Sequence, residues 1–158
     1  MAVDHTRPVA GLRLHALDAE DLPMLSAHVQ DALLRVGDIA FLPEKRRFAI
    51  ALSRFDWAAE ADGRLERASA GLHFEGVRAA RCLNIDQARK DGLLSLLAVA
   101  FEPGPTPPEG RIQLIFAGGA TISLEVECIE AQLCDLGPRW PATARPSHHL
   151  DEGAMRGS

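Results

Sequence analysis

Residues 111–138, RIQLIFAGGATISLEVECIEAQLCDLGP, decide how the rest of the chain is read. Ile112, Leu114 and Phe116 alternate with Arg111, Gln113 and Ile115, the period of two of a half-buried strand. Gly118 and Gly119 supply the positive φ angles of a tight turn. Ile122 and Leu124 then share one face of a return strand, with Thr121, Ser123 and Glu125 on the other. From there the interval changes: Val126, Ile129, Leu133 and Leu136 fall at helical spacing, and Gly137-Pro138 is a helix stop. The spacing predicts a last hairpin, an amphipathic C-terminal helix, and one core holding Ile112, Leu114, Phe116, Ile122, Leu124, Ile129 and Leu133.

Working outward, Leu12, Leu14 and Ala16 mark a short first strand. A helix follows to about Ala32, its stripe made by Leu22, Leu25 and Val29. Asp18 or Asp21 can cap it; Asp21 is favoured because Pro23 then falls in the first turn, where its missing N–H is no loss. Leu34, Val36 and residues 39–42 read as strand, broken at Gly37-Asp38, and residues 43–46 (PEKR) as a hairpin turn. Phe48, Ile50 and Leu52 alternate up to Trp57, after which residues 58–68 read as a flexible surface loop. Leu72 and Phe74 begin another strand with a bulge at Gly76. Leu97, Val99 and Phe101 face one way on the next, and residues 103–108 (PGPTPP) form a stiff loop.

Composition narrows the class. A chain of 158 residues with 47% hydrophobic and 25% charged residues carries one globular domain. We expect that domain at 12–140, a flexible N-terminus at 1–11 and a disordered tail at 141–158. No apolar run is long enough to span a bilayer, and no signal core opens the chain. The net charge of −5, with 5% aromatic residues, argues against nucleic-acid binding. Cys82, Cys128 and Cys134 have no pairing pattern, which fits reduced thiols and a cytoplasmic protein.

These elements add up to an α+β fold: a small antiparallel barrel or sandwich of six to seven strands, with an early and a C-terminal helix. In element order it resembles a pleckstrin-homology-like barrel; a plain sheet packed on both helices is the alternative. Residues 12–21 (LRLHALDAED), 36–55 with GDIAFLP, 71–74 (GLHF) and 115–137 together resemble the bacterial family called domain of unknown function 2948. That family has no assigned activity, so the resemblance implies no catalytic residue.

No constellation in the sequence demands chemistry. His15, His28 and His73 lie on separate elements without the paired spacing of metal ligands, and His148-His149 sits in the tail. Cys128 and Cys134 neighbour Glu127, Glu130 and Asp135, which work against a reactive thiolate. Glu125, Glu127 and Glu130 at a helix start satisfy the macrodipole. We therefore expect no catalytic, cofactor or metal site. The one candidate surface is basic: Lys45, Arg46, Arg47, Arg78 and Arg81, an anionic-partner patch if the fold brings them together. The expected function is a non-catalytic protein-interaction or adaptor domain. The alternatives are a small-molecule-binding protein or enzyme whose site forms only in three dimensions, and an anionic-lipid contact through residues 45–47.

Overall fold

Uninterrupted alternation becomes strand throughout the computed structural model, which describes residues 11–142. The first half contains β1 (Arg13–Ala16), α1 (Leu22–His28), β2 (Ala32–Arg35), β3 (Ile39–Leu42), β4 (Arg47–Phe55) and α2 (Trp57–Ala61). The second half is all strand: β5 (Glu66–Glu75), β6 (Val77–Leu83), β7 (Leu93–Pro103), β8 (Gly110–Phe116), β9 (Thr121–Val126) and β10 (Ala131–Pro141). All ten strands join one sheet in the order β1-β10-β5-β4-β2-β7-β8-β9-β6, with β3 beside β4, and every pairing is antiparallel.

The expected six-to-seven-stranded, pleckstrin-homology-like α+β fold with a C-terminal helix is overturned. Residues 131–141 are β10, an interior strand between β1 and β5. Ile129 and Leu133 are buried, as a helix would also have them, but Leu136 is 64% exposed. A strand buries Ala131 and Leu133 two apart instead. The backbone of β10 bonds to a neighbour on each side, and that ladder outweighs the helix preference of its Ala, Gln and Leu residues. Gly137-Pro138 falls inside a register shift between Asp135 and Arg139 and does not stop a helix.

Two ribbons bend to wrap the sheet around its core. Gly76, at φ +70°, separates β5 from β6, so one chain pairs first with β4 and β10 and then with β9. Residues 127–130 make the matching bend between β9 and β10. Glu75 N–H donates to the Glu130 carbonyl (2.9 Å) and Glu127 N–H to the Gly76 carbonyl (3.0 Å). The enclosed cluster holds Phe48, Ile50, Leu52, Leu72, Phe74, Leu96, Ile112, Leu114, Phe116, Ile122, Leu124, Ile129 and Leu133. All seven residues expected to share a core are in it.

Smaller corrections have local causes. Asp21 is the residue before α1 and Pro23 lies in its first turn, as expected, but the Asp21 side chain makes no capping bond and accepts the Leu17 N–H instead; the helix ends at His28 because Ala32 is already paired in β2. Residues 58–68 are a loop only at 62–65: Asp56 accepts from Ala59 N–H (2.9 Å) and caps α2, which runs to Ala61, and β5 has begun by Glu66. On β7 a register shift between Leu96 and Ala98 exchanges faces, so Leu96 enters the core where Leu97 was expected. The turns at residues 36–38, 43–46 and 117–119 form as read, with Gly118 and Gly119 at φ +82° and +85°. The N-terminal residues before 11 and the tail beyond 142, including His148-His149, lie outside the described residues.

Candidate functional site

The site worth building is an open strand edge. The run LLSLLAVAFEP of β7 has too few polar residues to alternate, the pattern of a strand covered on more than one side. β7 bonds to β2 only as far as Leu96, whereas its pairing with β8 continues to Pro103. Along residues 97–103, among the described residues, no strand occupies the other side. α1 lies there instead. Ser26 Oγ accepts the Val99 N–H at 2.9 Å, and the Leu96 carbonyl accepts the Asp31 N–H at 2.7 Å. Alternate residues of a strand direct both backbone groups to the same side. The Val99 carbonyl and the N–H and carbonyl of Phe101 therefore face the space beside α1.

That space is an open groove of about 510 Å³. Leu22, Pro23 and Ala27 of α1 form one wall, Leu97, Val99 and Phe101 of β7 the other. Ser26 and Gln30 supply its polar groups. α1 is held in place because Leu22, Leu25 and Val29 are buried in the core. Sequence reading missed the groove because helix and strand are some 70 residues apart, although the unalternating run of β7 was a visible signal.

The other edges are poorer. β1 and β3 are four residues each. β6, open on the side away from β9, carries Arg78 and Arg81, and such charges discourage strand addition.

A second cluster is buried. Arg54, 1% exposed, follows Phe48, Ile50 and Leu52 on the core face of β4. Its Nε and Nη2 donate to the two oxygens of Asp135, each at 2.8 Å, and Nη1 stands 3.9 Å from Asp56 Oδ1. The pair spans from β4 to β10 across β5, where Ala68 and Ala70 are small enough to pass beneath it. Asp135 Oδ2 also accepts the Leu12 N–H, and Asp135 N–H donates to the Leu12 carbonyl, each at 2.9 Å. This is a clamp on β1 and β10. On the opposite face, Arg67 covers Phe55 at 5.9 Å and donates to the Ser53 carbonyl at 3.1 Å. Burial draws the Arg67 guanidinium below its ordinary pKa, and the Asp31 carboxylate pushes back. Phe55 also meets Trp57 edge-on at 4.6 Å.

The five basic residues singled out from sequence divide. Arg46 and Arg78 converge on Glu127, and Arg78 also bonds Glu109 at 3.0 Å. Glu109 raises the Arg78 pKa, first by hydrogen bond and then by charge. Arg47 turns to Glu75 (2.8 Å), which His73 also contacts at 2.8 Å. Lys45 and Arg81 make no ion pair among the described residues. Glu127 and Glu130 thus belong to a bend and not to a helix start, and Glu125 lies on β9. His28 contacts its own helix at the Met24 carbonyl, and the three cysteines are free. No group of three metal-binding side chains converges among the described residues. Nor is any described helix long and apolar enough to cross a membrane.

The family model described as "Protein of unknown function (DUF2948)" matches residues 12–148. The chain belongs to that family. No curated protein and no solved structure matches it.

Proposed function

We propose that this domain is a non-catalytic binding module that takes an extended segment of a partner protein as an added strand on β7. The observation that carries the reading is the outward-facing backbone of Phe101, with the Val99 carbonyl, beside an apolar groove. Main-chain hydrogen bonds supply affinity in strand addition and side-chain pockets supply selectivity. Both parts are in place: Val99 and Phe101 offer the backbone groups, and Leu22, Ala27 and Leu97 an apolar floor. At about 3.3 Å per residue, the stretch from Val99 to Pro103 matches a segment of about 17 Å. The three free thiols suit a reducing compartment such as the cytoplasm.

The test is amide exchange. Peptides selected on the domain from a displayed random library are titrated into isotope-labelled protein. The Phe101 N–H should exchange quickly in the free domain and become protected on binding, with shifts at Ala27 and Leu97. Selected peptides that leave the Phe101 amide exchanging at its free rate would overturn the proposal.

A further inference from the structure

We infer that the partner segment is basic at its amino end and apolar at alternate positions behind it. This rests on the strand-addition reading above and deepens it. Two contacts set the direction of the groove: Ser26 meets Val99, while Asp31, further along the chain, meets Leu96. α1 and β7 therefore run antiparallel, and the start of the helix lies beside the far end of the strand, where Ala19 and Phe101 line the same groove.

That end is acidic. Asp18, Glu20 and Asp21 precede α1, and Glu102 follows Phe101. Asp18 and Asp21 accept backbone N–H groups through one oxygen each, from Glu20 and Asp21 (2.9 and 3.0 Å) and from Leu17 (3.1 Å). Those bonds fix the carboxylates without neutralising them. Glu102 has a cation 3.6 Å away in Arg111, across the ladder on β8. Glu102 also lines a neighbouring groove with Arg78 and Arg111; four carboxylates against those two guanidiniums still leave a negative rim, and a basic residue entering there is drawn in.

Direction follows from the sheet. Every pairing is antiparallel, and antiparallel addition is the slightly more stable of the two modes. An antiparallel guest starts where β7 ends, so its amino end meets Glu20 and Glu102. Its alternate side chains then fall on Leu22, Ala27 and Leu97.

Four blocked peptides test this, each with the same core of alternating valine and threonine. One carries two arginines at the amino end, one two arginines at the carboxyl end, one two glutamates at the amino end, and one serines. Fluorescence anisotropy at low salt should show the amino-terminal arginine peptide bound roughly tenfold tighter than its glutamate counterpart. The advantage should shrink as salt rises, and Glu20→Lys with Glu102→Lys should reverse the order. Equal binding of all four, with Phe101 protected, would overturn the charge inference and leave strand addition standing. Tighter binding of the carboxyl-terminal arginine peptide would overturn the direction. Failure of all four to bind or to protect Phe101 would sink both readings.

Discussion

Asp135→Ala strips the buried guanidinium of Arg54 of both its 2.8 Å hydrogen bonds and leaves Asp56, with Oδ1 3.9 Å from Nη1, as the carboxylate beside it. The side chains of the pair are 1% and 3% exposed, so water cannot replace the lost carboxylate. Breaking one partner of such a buried pair costs about 3–5 kcal/mol. The Leu12 N–H loses its acceptor in the same step, adding about 1–3 kcal/mol if it stays dry. Against a total stability of about 5–15 kcal/mol, that is a large fraction, and the melting temperature should fall by roughly 10–20 °C. The paired variant Arg54→Met with Asp135→Leu behaves differently, because it removes both charges and fills the space with apolar atoms. It should recover most of the loss, stopping short by about the 1–3 kcal/mol of the orphaned Leu12 N–H. Urea denaturation of the parent, Arg54→Met, Asp135→Leu and the double variant gives the coupling energy directly. A value under about 0.5 kcal/mol, the level at which distant sites add, would show that the two residues are not a clamp.

Phe116→Ala should destabilise by about 3–5 kcal/mol in the same assay, since the ring is buried in the central cluster; a loss under about 1 kcal/mol would place it at the surface. Gly110→Ala should be costly for another reason: its new methyl would stand 2.4 Å from the Phe101 ring, whereas Gly63→Ala meets no neighbouring atom and carries only the strain of φ +84°. Thermal melts should rank Gly110→Ala well below Gly63→Ala, and the reverse order would contradict the packing of β7 on β8. Burial raises the Cys82 pKa, so less thiolate is present at a given pH. Its alkylation, followed by mass spectrometry from pH 7 to 11, should therefore rise through a midpoint above that of a free cysteine peptide; a midpoint below it would mean a cationic neighbour outweighs burial.

Strands with one covered face were readable because alternation survives in the letters. Phe48, Ile50 and Leu52, like Ile112, Leu114 and Phe116, announced their faces and kept them. β10 was not readable, because Ile129 and Leu133 are four apart and satisfy either period, while their neighbours prefer helix. The decision belongs to β1 and β5, whose open edges require a strand between them. Arg54 offered a usable hint: an arginine in step with three core residues needs a buried partner. Asp135 lies 81 residues away, beyond any local pattern. The groove is hidden for the same reason, since α1 and β7 meet only after folding.

The pairing of Arg13 with Cys134 has a bearing on synthesis. The first strand emerges from the ribosome with its one strand partner among the described residues still roughly 120 residues from being made, about 6–24 s at ordinary elongation rates. β5 waits too, with one edge filled by β4 and the other bare until β10 arrives. Gly71 and Ala68 on that edge give a stray strand little side-chain surface to grip. The sheet thus stays unfinished until β10 is released, and the arrival of that strand locks β1 and β5 together.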